Sequence, residues 1–154
     1  VINLLTAIQT AFQNDSTLMG IFSDGLWLNQ APDEDGGNGP SLPACVVMPI
    51  KPVPHYSTST TTFWEQSQVQ FSVYALTDTE VFTALEALKA LFVFQPLSMP
   101  NGAANLEGRY QGDWIERSDE KVWRGYLLLE FKVQESLPSI SMGEFSRAFD
   151  SSFE

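Results

Sequence analysis

One cysteine, one histidine and eight Lys+Arg are all that 154 residues supply of the side chains most chemistry draws on. Cys45 has no partner for an intramolecular disulfide, and its setting in Ala44-Cys45-Val46-Val47-Met48 reads as a packed core thiol. A zinc site needs Cys and His clusters, which one of each does not form. His55 falls in Pro52-Val53-Pro54-His55-Tyr56, a proline-rich stretch that reads as a loop, and no Gly-x-Ser-x-Gly supplies a nucleophile for it to activate. Gly36-Gly37-Asn38-Gly39 is followed by no Gly-Lys-Ser/Thr, and Pro40 and Pro43 break any helix whose N-terminus would hold a phosphate. Asp33-Glu34-Asp35 lacks the glycine and late glutamate that a calcium loop requires. The expectation is a protein without cofactor or metal, and not an enzyme.

Long apolar runs are also missing. None approaches the roughly 20 residues that span a bilayer, so no membrane association is expected. The opening Val1-Ile2-Asn3-Leu4-Leu5 lacks the basic region of a signal peptide. Scarce cations against 19 Asp+Glu leave a formal net charge of -11. Duplex binding needs cations to displace counterions from phosphates, so ordinary nucleic-acid binding is disfavoured. Such acidity either solvates the surface or forms a wall that DNA passes without sticking.

What the chain does have is periodicity. Val69, Phe71, Val73 and Ala75 alternate with Gln68, Gln70, Ser72 and Tyr74, the period of a strand with one buried face. Thr77-Asp-Thr-Glu80 follows as a capping box, in which the Thr77 hydroxyl accepts from the Glu80 N–H and Glu80 reaches back. Val81, Phe82, Leu85, Leu88 and Phe92 then recur at helical spacing and are expected to pack the helix on the sheet. Upstream, residues 2–13 read as a helix with Leu4, Leu5, Ile8, Ala11 and Phe12 in one stripe, and residues 18–22 as a short helical turn. Gly25 to Leu28 starts a strand, and 44–50 is a second. Residues 31–43 read as a loop and 51–62 as an extended loop or ragged hairpin arm, because both are rich in Pro and small polar residues. Downstream of the capped helix, Leu106, Gly108, Tyr110, Gly112 and Trp114 alternate in one strand, and Trp123, Leu127, Leu129, Phe131 and Val133 in the next. Ser118-Asp119-Glu120 is the expected turn between them. Trp64, Trp114 and Trp123 are expected to pack on sheet faces.

These elements predict an α+β fold: an antiparallel sheet of about four to five strands with two helices packed on one face, plus an extended C-terminal arm. The body covers 1–136, and 137–154 is a C-terminal arm or a flexible tail. In the arm Phe145, Phe149 and Phe153 recur every fourth residue and would line one face of a helix entering a partner's groove.

The helical N-terminus, the Pro43-to-Pro49 apolar strand, the strand from Val69 to Ala75 and the Thr77/Glu80 opening of a Leu/Ala-rich helix together resemble the tail-terminator, or tail-completion, family of tailed bacteriophages. The resemblance is one of pattern over residues 2–135. It implies a structural virion protein, assembled in the host cytoplasm, that forms a ring, a hexamer, at the head–tail junction. Such a ring terminates the tail tube and joins it to the head connector or neck protein while DNA passes through the lumen without specific binding. Asp33, Glu34, Asp35, Asp113, Glu116, Asp119 and Glu120 are the acidic candidates for loops or a lumen wall. A neck or head-completion protein of the connector is the alternative within the class, and a small-molecule binding module is the alternative outside it.

Overall fold

Alternation at 69–75 and the cap at Thr77 set the architecture. The structure, a computed structural model, describes residues 2–29, 41–56, 62–99, 104–117 and 122–136. Its elements are α1 (Ile2–Asn14), α2 (Ser16–Ile21), β1 (Leu26–Leu28), β2 (Ala44–Tyr56), β3 (Thr62–Ala75), α3 (Asp78–Phe92), β4 (Ala104–Arg117) and β5 (Trp123–Ser136). The strands form one five-stranded sheet in the order β1-β2-β3-β5-β4. The α+β expectation therefore holds, with two refinements. The sheet is mixed, because β1 runs parallel to β2 while every other pair is antiparallel. The helices number three among the described residues, since Asp15 caps α2 by accepting from the Leu18 N–H at 2.9 Å. The long stretch between Leu28 and Ala44 supplies the crossover that a parallel pair needs.

All three helices contribute to one core on one face of the sheet. Leu4, Ile8 and Phe12 of α1, Leu18 of α2, and Val81, Leu85, Leu88 and Phe92 of α3 meet Cys45, Val47, Val69, Phe71, Val73, Leu127, Leu129 and Phe131. The Phe71 and Phe92 rings stack at 5.1 Å between centroids. Each such fully buried side chain stabilises the fold by about 1.5–3 kcal/mol. Two glycines let α3 come close. A Cβ on Gly125 would sit 2.4 Å from Val81 Cγ1, and one on Gly108 would sit 2.5 Å from the Phe92 carbonyl oxygen. The Thr77 hydroxyl accepts from the Glu80 N–H at 3.2 Å, as the capping pattern predicts.

Three local expectations are corrected. The strand expected to end near Pro49 and Pro52 runs on: β2 continues through Pro49, Pro52 and Pro54 to Tyr56, paired with β3, so 51–56 is the hairpin arm and not the loop of its two readings. The prolines are tolerated because β1 pairs only with Cys45 to Val47, leaving the rest of β2 as a sheet edge where missing donors cost nothing, and a register break between Ile50 and Val53 absorbs one extra residue. In β4 a register shift between Tyr110 and Gly112 reverses the alternation. Tyr110 pairs with Leu129 on the helix side, whereas Trp114 pairs with Tyr126 on the other. Phe82, finally, is exposed at 57%. It lies about 100° round the helix from Val81, and the buried stripe of Val81, Ala84, Leu85, Leu88 and Phe92 is too narrow to include it.

Candidate interaction surface

The sheet has a second face, and among the described residues no helix covers it. Register assigns its side chains. One row of paired residues crosses all five strands as Trp27, Val46, Ser72, Tyr126 and Trp114. The next rows are Met48, Gln70, Leu128 and Gly112, then Ile50, Gln68, Glu130 and Arg109; on the other side lie Ala44, Tyr74, Arg124 and Glu116. Met48 and Trp114 are each 45% exposed and Ile50 is 36% exposed. Leu128 is half-buried.

An aromatic and cationic ladder stiffens one side of this face. The Trp114 and Tyr126 rings stack at 4.7 Å. The Arg124 guanidinium lies 4.5 Å from the Tyr126 ring centroid and 5.1 Å from that of Tyr74, positions that favour the cation over a ring's negative face. The Tyr126 hydroxyl donates to Glu116 at 2.8 Å, and burial followed by that bond pushes the phenol pKa up to about 12. Lys132 sits 5.5 Å over the Trp64 ring. Two buried donors, Trp27 Nε1 and Arg124 Nε, have no acceptor among the described residues, and both belong to this face.

A different polar cluster occupies the helix side at the sheet edge. Lys89 of α3 pairs with Asp113 at 2.6 Å and with Glu86 at 3.1 Å. The Tyr110 hydroxyl donates to Asp113, and Lys89 lies 5.5 Å from the Tyr110 ring centroid. The bond from Lys89, then that from Tyr110, holds the Asp113 carboxyl below its ordinary pKa, while Lys89 is raised by the same contact.

The acidic candidates do not gather into one described site. Asp113 and Glu116 fall on opposite faces of β4, as residues three apart in a strand must: Asp113 pairs with Leu127 of the core side and Glu116 with Arg124 of the uncovered side. Asp113 is neutralised by Lys89, and Glu116 is exposed. Asp33, Glu34, Asp35, Asp119 and Glu120 lie outside the described residues, as do Phe145, Phe149 and Phe153. Sequence reading missed Met48, Ile50 and the Tyr74–Arg124–Tyr126–Trp114 ladder. Their signal was present in β5, where Arg124, Tyr126 and Leu128 occupy the positions opposite the core set. Among the described residues no group of three or more His, Cys, Asp or Glu is placed to hold a metal ion. No described helix is long and apolar enough to cross a membrane. Cys45 is fully buried, and desolvation raises its thiol far above the ordinary value, which makes it inert.

The arrangement defines a class: a helix-backed mixed sheet whose free face carries aromatic, aliphatic and charged side chains. No family model matches the chain, and no curated protein does. Among solved structures, it is similar to a chain of one described as "Virion of native gene transfer agent (GTA) particle". The two superpose with a TM-score of 0.66 at 15% sequence identity, over 86% of this chain and 96% of that one. At that identity the likeness is one of fold.

Proposed function

We propose that this chain is a structural virion protein that assembles as a ring at the head–tail junction, terminating the tail tube and joining it to the head connector. The observation that carries the reading is the shared fold: 96% of a chain from a virion particle has a counterpart here, so the likeness extends to nearly a whole component and not to one common motif. The uncovered sheet face supports the same reading, because Met48, Ile50 and Trp114 stand exposed on it, available to a protein partner. In this reading the body (1–136) forms the ring wall, the arm (137–154) reaches a neighbour, and the net charge of -11 keeps passing DNA from adhering. The role needs no catalytic group.

Negative-stain imaging and mass photometry of the purified full chain test the proposal. Closed rings with a central hole, formed alone or on added tail-tube protein, are the expected result. A protein that remains monomeric under both conditions overturns it.

A further inference from the structure

We infer that Pro49, Pro52 and Pro54 close the outer edge of β2 against strand addition by a second copy of this chain. Past the short pairing with β1, β2 borders no other described strand on that side from Met48 to Tyr56, a length on which a whole strand of another chain could pair. The direction of each peptide along it follows from the ladder. The Asn29 N–H donates to the Val47 carbonyl at 2.8 Å, so Val47 faces β1 and turns away from β3. Alternation turns Pro49 outward as well, while Met48 and Ile50 bond toward Gln70 and Gln68 of β3. Past the register break, Val53 and His55 pair with Gln66 and Trp64, which belong to the same alternate set of β3 residues. Val53 and His55 therefore bond inward, and Pro54 between them points its nitrogen outward. Pro52 stands in the break itself, between the paired Ile50 and Val53.

The prolines thus fall only where the β2–β3 ladder loses nothing, and each position that feeds the ladder carries an N–H. Tolerance explains why proline can stand at these places, but not why three of residues 49–54 are proline. A strand gains more from β-branched and aromatic residues, which fit its pleat. What proline alone supplies is the removal of donors. A strand laid along this edge finds no N–H at 49, 52 or 54 for its own carbonyls, so a continuous ladder does not form.

The other edges are closed by different means. β1 is three residues long, too short to seat a partner strand firmly. Along β4 the Phe94 N–H already occupies the Gly108 carbonyl at 2.9 Å. Register breaks at Asn105/Glu107 and Tyr110/Gly112 bend that strand, and Arg109, Asp113, Glu116 and Arg117 load it with charge. Copies of this chain therefore meet without extending one another's sheets, whatever their number in an assembly.

Restoring the donors in the full chain tests this. Pro49→Thr with Pro52→Thr and Pro54→Thr should keep a cooperative melt, since no inward bond changes. In sedimentation velocity most of the material should move to species heavier than any the wild type forms, and these should bind thioflavin T as extended intermolecular sheet does. His55→Thr is the control, because it puts the same β-branched residue at a position whose N–H already bonds inward. It should sediment as the wild type does. Should the triple variant lose its cooperative melt, Pro49→Thr with Pro54→Thr repeats the comparison, and loss of the melt there too would show that the prolines hold the fold and do not guard it. A folded proline variant that sediments as the wild type, or a control that associates as strongly, overturns the inference. A wild type that stays monomeric removes the ring reading and leaves this inference standing.

Discussion

Asp113 is the residue on which most of the described polar contacts at the β4 edge converge. Its carboxylate answers Lys89 and Tyr110 together, and its pKa is depressed while that of Lys89 is raised. The sign follows from linkage. A depressed carboxyl contributes stability that is fully present above its unfolded value, about 3.9, and is lost as pH falls through the lower folded value. The raised Lys89 contributes fully below its ordinary value and is lost as pH rises through the higher folded one. Asp113→Asn should therefore lower the urea midpoint at pH 7, and the gap from wild type should narrow as the buffer is taken down to about pH 3. An equal gap at both pH values would show that the carboxylate acts through shape and not charge. At this scale the sequence was a poor guide. Asp113 read as a free acidic candidate because its partner, Lys89, stands on another element, and only the fold brings the two within 2.6 Å.

At the scale of elements, α3 shows both what periodicity reveals and where it stops. Thr77, Val81, Leu85, Leu88 and Phe92 were all legible, because cap chemistry and a 3.6-residue repeat are local properties. Phe82 was misread, because a Phe beside a stripe looks like part of it until the width of the sheet contact is known. The two residues now predict opposite outcomes. Leu85→Ala should cost about 2–5 kcal/mol in urea unfolding, as deletion from a filled core does. Phe82→Ala should cost no more than about 0.5 kcal/mol, as changes at exposed positions do. Comparable losses at both sites would put Phe82 in the core after all. The strands repeat the lesson. Period two identified β3 over 69–75 and β5 over 123–133, but the extra residue near Tyr110 in β4 is invisible to a pattern count, and it turned Trp114 to the opposite face. Proline left 51–56 open between a loop and a ragged hairpin arm, because sequence alone does not say which strands are edges. The candidate face was less legible than the core for the same reason: its members alternate with core residues on four strands, and only register joins Met48 to Leu128 through Gln70.

The whole molecule carries a formal charge of -11. If acidic residues line a passage, reversing them to Lys should leave the fold intact and make assembled rings retain DNA. Asp33, Glu34 and Asp35 form one set, Glu116 a second, and Asp119 with Glu120 a third. Gel shifts on each set separately, at low and moderate salt, should show binding that weakens steeply with salt, since the new cations release phosphate counterions. No retention by any set would assign the acidity to the outer surface. The strand order has a kinetic meaning as well. β2 with β3, and β4 with β5, are hairpins whose partners are close along the chain, but β3 with β5 joins them across the whole of α3 and β4. Loop closure must be completed before that central seam repays it, so the seam is where the barrier to folding belongs. Stopped-flow refolding should accordingly slow when Phe71 or Leu127, which face each other across the seam, is cut back to Ala. Leu26→Ala, on the last strand to join at the far edge, should mainly hasten unfolding. A chain whose central seam forms first leaves β1, three residues long and paired on one side only, as the strand expected to lose amide protection soonest in native-state hydrogen exchange.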